Sequence, residues 1–364
     1  MASSFFQEIL SPMFNPRAVL DISGGGKVLV ISDFHMGSGR GDDLARNGAL
    51  LMEMLEGYYL VNDWYLVLNG DIEELQRYSL DAIKTRWAPL YYILDRFAAA
   101  GRLYKIVGNH DEELIFEKNY PYPLFPVVRI ESGVLPLYVY HGHQSSKVYT
   151  NYNYLIRAAL RYFFKPIGIR NISTARSPHR RFYVEKQAYN FSLENHCISI
   201  IGHTHRPLFE SLGRFDYIKF EIERLCRDYP SSAGINRDRI AAEVDALRVE
   251  LGKLQRSERR DVLRQSLYGD RYPVPCLFNS GCAIGKGINA IELDRDQIAL
   301  VYWFTEGEGK KFINRGWYKV EIHKGTKFRR SILNQDRLEY VKARIELLGK
   351  HDPERKEDVV SAIL

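Results

Sequence analysis

Five short polar clusters along the chain contain residue types that bind divalent metal ions, and each follows directly on an apolar run. Carboxylate, amide and imidazole groups without a thiolate suit Mn, Fe or Zn, and one bridging carboxylate lets two ions lie about 3.5–4 Å apart. A single buried histidine is more often a core residue than a ligand, but five clusters in succession predict a two-metal site. The clusters are Asp33-Phe34-His35, Gly70-Asp71, Gly108-Asn109-His110-Asp111, His141-Gly142-His143 and Gly202-His203-Thr204-His205.

The apolar runs before these clusters have the length and composition of buried strands. Between the early runs, residues 44–59 and 80–100 carry apolar side chains at helical spacing, which predicts a β-α-β-α-β order. Such a sheet gathers ligand groups at the carboxyl ends of its strands, so the five clusters are expected to converge. The predicted strands cover residues 27–32, 64–69, 103–107, 135–140 and 197–201.

The last third of the chain continues the α/β pattern. Residues 288–293 and 297–303 flank Asp294-Arg295-Asp296 and predict a β-hairpin. Residues 334–350 space four apolar side chains on one face and predict a terminal helix. A mixed α/β core with sheets inside and helices outside is therefore expected.

In the order of its five clusters, the sequence resembles the calcineurin-like metallophosphoesterases. That family has the blocks Asp-x-His, Gly-Asp-x-x-Asp or Glu, Gly-Asn-His-Asp or Glu, His-Gly, and Gly-His-x-His; here Glu74 supplies the acid of the second block, and Asn279-Ser280-Gly281 resembles the family's closing turn. The resemblance covers a little under half of the chain. It implies a single domain over residues 1–364, folded as a four-layer sandwich of two packed mixed β-sheets flanked by helices.

The same resemblance implies hydrolysis of a phosphoester bond with two divalent ions, Mn, Fe or Zn. A hydroxide shared by the two ions would attack phosphorus in line while the ions neutralise the phosphoryl oxygens. The first ion would be held by Asp33, His35 and His205, the second by Asn109, His141 and His203, and Asp71 would bridge them.

Two residues next to the implied ligands are expected to act on the substrate. His110 would face it as general acid or as a clamp on the transition state, and Asp111 would orient the His110 imidazole. His143 is expected to hydrogen-bond around the site, and Glu73 to be a solvated loop acid. Arg206 could contact phosphate or brace its own loop.

Two segments interrupt the core pattern and are expected to be insertions. Residues 147–186 hold nine basic residues against one acid, Glu185, with Tyr and Phe interleaved. Both ends lie beside implied ligands, which makes this segment a candidate lid with Arg157 and Arg161 on one helical face as substrate-binding residues. Such a basic amphipathic helix is typical of a membrane interface or an acyl-chain site. Packing on the core and binding of single-stranded nucleic acid remain open alternatives.

The second insertion covers residues 221–269, where Ile240, Val244, Leu247, Leu251 and Leu254 follow a four-three spacing. Packing within its own domain is the first interpretation, and an oligomer contact or closure over the cleft is the second. Within the family, bacterial UDP-2,3-diacylglucosamine pyrophosphohydrolases look similar in the basic insertion and the Gly-His-Thr-His-Arg-Pro ending. The chain departs from them at His110, where they usually have Arg, and in this second insertion.

Bulk composition limits the partners and the compartment. A formal net charge of +6 and a pI of about 8.9 favour anionic partners without separating phosphoester substrates, nucleic acid and anionic lipid. Four widely spaced cysteines predict a reducing compartment. Residues 1–20 lack a signal-peptide pattern, and no run approaches the roughly 20 apolar residues of a membrane span. A cytoplasmic protein is expected, with contact to the inner face of the membrane left open.

A phosphodiester or pyrophosphate is the first expected substrate, because His110 can protonate a poor leaving group. The alternatives are a UDP-diacylglucosamine-type lipid-linked pyrophosphate, a phosphomonoester, a nuclease substrate, and a non-catalytic scaffold on the same fold. The sequence leaves the oligomeric state open.

Overall fold

The computed structural model describes residues 18–39, 41–145, 178–209, 214–258, 274–308, 320–323 and 325–349. Within these ranges the chain forms fourteen strands and seven α-helices. The strands are β1 (Val19–Asp21), β2 (Lys27–Ile31), β3 (Tyr65–Asn69), β4 (Leu103–Ile106), β5 (Leu124–Phe125), β6 (Val128–Glu131), β7 (Pro136–Val139), β8 (Ile198–Ile201), β9 (Leu208–Phe209), β10 (Leu277–Asn279), β11 (Ile288–Asp294), β12 (Gln297–Thr305), β13 (Val320–Ile322) and β14 (Phe328–Arg337).

Helices connect these strands. The α-helices are α1 (Gly48–Met54), α2 (Leu80–Arg86), α3 (Ala88–Ala99), α4 (Pro178–Glu194), α5 (Arg214–Asp228), α6 (Ile235–Glu258) and α7 (Leu338–Leu348). A π-helical turn, Leu55–Leu60, extends α1, and 3₁₀ turns lie at Glu112–Phe116, His143–Ser145 and Tyr229–Ser231. None of the described helices is both long and apolar enough to span a membrane.

The strands form two mixed sheets. The larger has eight strands in the order β13-β14-β12-β11-β2-β3-β4-β5, with β2 to β5 parallel and the β11–β12 hairpin antiparallel. The smaller has six strands in the order β1-β6-β7-β8-β10-β9, in which β7, β8 and β10 are parallel. All five strands that precede a polar cluster are therefore parallel to a neighbour, as the clustering of ligands requires.

Alternate residues of a strand enter different hydrophobic cores, which explains why most positions of these runs are apolar. In β2, Val28 and Val30 lie in the core between the sheets with residues of β7, β8 and β10. Leu29 and Ile31 of the same strand lie in a second core with α1 and α3. On the smaller sheet, Tyr140 contacts Phe191 of α4. The four layers are thus helices, sheet, sheet and helices, and the predicted fold is confirmed.

Two predicted helices differ from the observed ones. Residues 80–100 form two helices that break at Trp87, because Pro89 has no backbone N–H to continue the hydrogen-bond ladder of the first helix. The Trp87 indole donates to Gly37 O and to Asp42 Oδ2, both at 3.0 Å, which fixes the side chain at the break. In the C-terminal segment, β14 continues to Arg337, so α7 begins later than the predicted residue 334.

The second predicted insertion is a two-helix hairpin, and it begins at α5 rather than at residue 221. Its apolar residues form a small core of their own, with Ile240 and Leu247 of α6 against Ile218 and Leu225 of α5. The four-three spacing therefore reflects packing within the hairpin. Residues 259–273, and 146–177 of the predicted lid, lie outside the described residues, so the domain division remains a prediction.

Candidate metal centre

The loops after β2, β3, β4, β7 and β8 meet and are joined by backbone hydrogen bonds. Asp33 N donates to Gly70 O at 3.1 Å, and His35 N donates to Asp71 O at 3.0 Å. Gly202 N donates to His141 O at 3.0 Å, which joins the last two loops. The predicted convergence of the five clusters is thus a property of the backbone as well as of the side chains.

Asp33, His35 and His205 form the first group of candidate ligands, and their ligand atoms all lie within 4.8 Å of one another. His205 Nε2 lies 3.0 Å from Asp33 Oδ1 and 3.1 Å from His35 Nε2. Two imidazole lone pairs at this separation repel unless a proton or a cation lies with them. The group has the donor types and the spacing of ligands around one ion.

Asp71, His141 and His203 form the second group. His141 Nε2 lies 3.1 Å from Asp71 Oδ2, while its Nδ1 faces Asn69 O at 2.8 Å, a contact that fixes the ring as metal-binding histidines require. His203 Nε2 is buried and makes no hydrogen bond with the described residues. An unsatisfied buried nitrogen costs about 1–3 kcal/mol, so this donor set fits a bound cation.

Hydrogen bonds aim one oxygen of each carboxylate at the site. Asp33 Oδ2 accepts from Ser32 Oγ at 2.5 Å and from His203 N at 3.0 Å, so Oδ1 faces His205. Asp71 Oδ1 accepts from His110 N at 2.8 Å, so Oδ2 lies between the groups, 4.0 Å from His35 Nε2. Asp71 Oδ2 therefore lies within 4.0 Å of a candidate ligand of each group, and Ser32 supports Asp33 in a contact that no sequence motif indicated.

Five of the predicted ligands adopt the left-handed backbone conformation. Among the described residues, eight non-glycine residues have positive φ, and these five are among them. Left-handed non-glycine residues are uncommon and concentrate at functional sites. Beside them, a Cβ on Gly108 would lie 2.2 Å from Asp71 Oδ1, so glycine is required there. The five are Asp33, His35, Asp71, His203 and His205.

Glu74, and not Asp111, holds the His110 imidazole. Its carboxylate lies 2.9 Å from His110 Nδ1 and 2.9 Å from His35 Nδ1. The expectation that Asp111 orients His110 is wrong in this respect, because the Asp111 carboxylate turns away and accepts from Lys105 Nζ and from backbone amides. Glu74 thus links a candidate ligand to the candidate acid.

Comparison with known proteins agrees with this geometry. A family model described as calcineurin-like phosphoesterase matches residues 26–230, more than half of the chain. The chain belongs to this family. The match covers all five clusters and supports a phosphoesterase, as the sequence resemblance implied.

Solved structures of low identity also match. Yfce, a phosphoesterase from E. coli, is 13% identical, with a TM-score of 0.34 over 86% of this chain and 99% of that chain. Vacuolar Protein Sorting 29 from Cryptosporidium parvum is 12% identical, with a TM-score of 0.34 over 78% of this chain and 94% of that chain. No curated protein sequence gives a significant match.

In this family member the buried charges at the site shift several pKa values. Burial and the neighbouring His141 lower the pKa of His203 to about 3, which keeps its imidazole neutral, the form that binds metal. Burial opposes protonation of His110, but Asp71 and Glu74 outweigh it and raise the pKa to about 9. Burial also opposes ionisation of Glu74, but hydrogen bonds from His110 and His35 lower its pKa to about 2.

Of the three arginines predicted to bind substrate, the structure describes Arg206. Arg206 donates to Glu185 of α4 through its Nε and Nη2, and Thr204 Oγ1 donates to the same carboxylate at 2.8 Å. In the structure Arg206 therefore braces its loop. The one acid of the basic segment was the sequence signal for this contact. Arg157 and Arg161 lie outside the described residues.

Three further residues complete the surroundings. Asn109 lies in the loop after β4, where its backbone carbonyl accepts from Gln76 Nε2 at 3.0 Å. His143 is buried with its ring 5.3 Å from that of His141. Glu73 was expected to be solvated, but it is fully buried and accepts from Tyr91 and Tyr120.

Proposed function

We propose that the chain hydrolyses a phosphodiester or pyrophosphate bond with two divalent metal ions. The observation that carries the proposal is that the two groups of candidate ligands are linked by a third, in which ligand atoms of His35, Asp71 and His110 lie within 4.8 Å of one another. We assign the first ion to Asp33, His35 and His205, the second to Asn109, His141 and His203, and the bridge to Asp71.

The charges of the site support two ions. Five buried carboxylates lie within residues 33–35, 70–74 and 108–111 of the ligand loops, and Lys105 pairs with two of them. With one negative charge compensated by Lys105 and another by His110, whose pKa of about 9 keeps its imidazole protonated at neutral pH, three remain, which is more than one divalent cation would balance. Uncompensated buried carboxylates would be very costly, so the electrostatics favour two ions over one. The carboxylates are those of Asp33, Asp71, Glu73, Glu74 and Asp111.

Two bound ions would polarise the phosphoryl oxygens and lower the pKa of an attacking water. The chain itself supplies the proton for the leaving oxygen. Glu74 holds His110 Nδ1, which leaves the Nε2–H free to face the substrate; Nε2 lies 3.9 Å from Asp71 Oδ2, at the edge of the ligand groups. A general acid at this point favours esters with poor leaving groups.

The basic segment before α4 is our proposal for the substrate-recognition element. Arg157 and Arg161 would contact an anionic group of the substrate, and the neighbouring aromatic residues would contact an apolar part. Replacing both arginines with Gln is expected to raise KM and leave kcat nearly unchanged. An unchanged KM would refute this assignment.

The test of the function uses metal-stripped protein resupplied in turn with Mn, Zn, Fe and Mg. Hydrolysis of bis-p-nitrophenyl phosphate is compared with that of p-nitrophenyl phosphate, and bound metal is counted. We expect about two ions per chain and faster cleavage of the diester. Faster cleavage of the monoester would favour a phosphomonoesterase, and failure to bind metal would favour a scaffold.

A further inference from the structure

Lys105 is fully buried beneath the ligand loops and is held between two buried carboxylates. Its Nζ donates to Asp111 Oδ2 and lies 2.9 Å from Glu73 Oε2. A lysine without solvent is retained only when paired, and this pairing is complete on both sides. The loop after β3 supplies Glu73, and the loop after β4 supplies Asp111.

Asp111 joins these two loops through their backbones. Its Oδ1 accepts from Gly108 N at 2.6 Å, and its Oδ2 accepts from Ile72 N at 2.9 Å. Gly108 immediately precedes Asn109, and Ile72 immediately follows Asp71. One carboxylate thus fixes the loop of a candidate second-ion ligand against the loop of the bridging ligand.

Glu73 anchors the other side of the lysine. Its Oε1 accepts from Tyr91 Oη at 3.0 Å and from Tyr120 Oη at 2.7 Å, while its Oε2 faces Lys105. Its backbone forms a parallel bridge with Met36, the residue after His35. The lysine is therefore tied to a fixed support and cannot follow Asp111 if that carboxylate moves.

We propose that Lys105 is a positioning residue for the second metal ion, and this inference rests on the proposed two-metal function. Through Asp111 it holds the loop of Asn109 and His110 at a set distance from Asp71. The first ion depends on it less, because Asp33 is held by Ser32 and His203 N and not by Asp111. Without the ammonium, the Asp111 carboxylate has no cation to hold it in place, and its amide contacts loosen.

The experiment measures Mn²⁺ binding to metal-stripped Lys105→Met protein by titration calorimetry and by electron paramagnetic resonance. We expect the second ion to bind about 10- to 100-fold more weakly, the range found for residues that support a ligand. Affinity for the first ion should stay within about threefold of wild type. Hydrolysis of bis-p-nitrophenyl phosphate at saturating Mn²⁺ should show a lower kcat with KM nearly unchanged.

A matched control exists far from the ligand loops. Arg330 is also a buried cation between two glutamates, with Nε 3.0 Å from Glu292 Oε1 and Nη1 2.7 Å from Glu321 Oε2. Arg330→Met should lower the melting temperature as Lys105→Met does, but leave both Mn²⁺ affinities unchanged. If both variants lower the affinities for both ions equally, the role of Lys105 is only structural and the proposal is wrong.

A second variant separates positioning from charge balance. Lys105→Met with Glu73→Gln keeps the summed charge of the three groups unchanged, so its stability should recover. Asp111 still lacks its ammonium partner, so the second-ion affinity and kcat should stay low. Full recovery of the second-ion affinity and of kcat would overturn the proposal. Wild-type protein that binds two Mn²⁺ but hydrolyses no ester would refute the proposed function alone, because the binding titration tests Lys105 without activity.

Discussion

Replacing Glu74 with Gln tests the link between the first metal group and the candidate acid. The carboxylate accepts from both His35 Nδ1 and His110 Nδ1 at 2.9 Å. Gln has one uncharged acceptor oxygen, and in either orientation its amide N–H group lies beside an imidazole Nδ1, so at least one of these charge-assisted hydrogen bonds is lost. Glu74→Gln should therefore either misplace His110 or move the proton of His35 to the nitrogen that must bind metal.

The magnitude follows from the hydrogen bond that the amide cannot make. A hydrogen bond to a charged group contributes about 1.5–3 kcal/mol net. Losing one of the two corresponds to a decrease of roughly 10- to 150-fold in kcat/KM, since each 1.4 kcal/mol is a factor of ten. Loss of both would multiply these factors only if the two histidines acted independently, and their shared carboxylate couples them.

The assay is a series of aryl phosphodiesters graded in the pKa of the leaving phenol, with bound metal counted in parallel. If Glu74 acts through His110, the decrease should grow as the leaving group becomes poorer, because only poor leaving groups need a proton. Glu53→Gln is the control, since Glu53 also contacts a histidine, His323 Nε2 at 3.1 Å, in another part of the fold. An equal decrease for every leaving group would refute the acid assignment.

The other predictions concern the bridge, the acid and a buried thiol. Asp71→Asn should abolish detectable hydrolysis and reduce bound metal, and retention of two ions with full activity would contradict its bridging role. His110→Ala should lower kcat by roughly 10²- to 10⁴-fold with metal content near normal, and loss of metal would make His110 a ligand instead. Burial raises the pKa of the Cys197 thiol to about 12. The unfolded thiol ionises near pH 9, so this thiol's contribution to stability is present below pH 9 and is lost between pH 9 and 12. The free energy of unfolding of wild type minus that of Cys197→Ala should fall by about 1.4 kcal/mol per pH unit between pH 9 and 12. A difference that does not change with pH would count against burial as the cause of the raised pKa.

The strands and the ligand loops were predictable because both depend on local patterns. A run such as β2 is apolar from Val28 to Ile31, since both of its faces are covered there, and the polar residues that follow lie at the strand end. The order of the clusters then placed Asp33, Asp71 and His203 in one site. The helix break at Trp87 was also foreseeable from Pro89, although the indole contacts that stabilise it join residues about 50 positions apart.

Side-chain direction could not be predicted. Both Glu74 and Asp111 were acids near His110, and adjacency in sequence favoured Asp111. In the structure Asp111 points toward Lys105, and Glu74 reaches His110 from a loop 36 residues earlier in the chain. Glu73 was expected in solvent because acids usually are, and only the burial of Lys105 in β4 provides the charge that allows it inside.

The backbone at the predicted ligands gives a second reason, besides metal binding, for the residue types found there. The five predicted ligands with left-handed backbone have φ between 47° and 62°, a conformation that costs an L-residue about 1–2 kcal/mol. Asp33, Asp71 and His203 adopt it two residues after the ends of β2, β3 and β8. Asp, Asn and His are several-fold enriched in this conformation among non-glycine residues, and they are also the hard oxygen and imidazole donors that divalent ions prefer. Glycine would remove the strain and the ligand together, whereas a β-branched residue would raise the strain, so one choice of residue type satisfies both the turn and the metal.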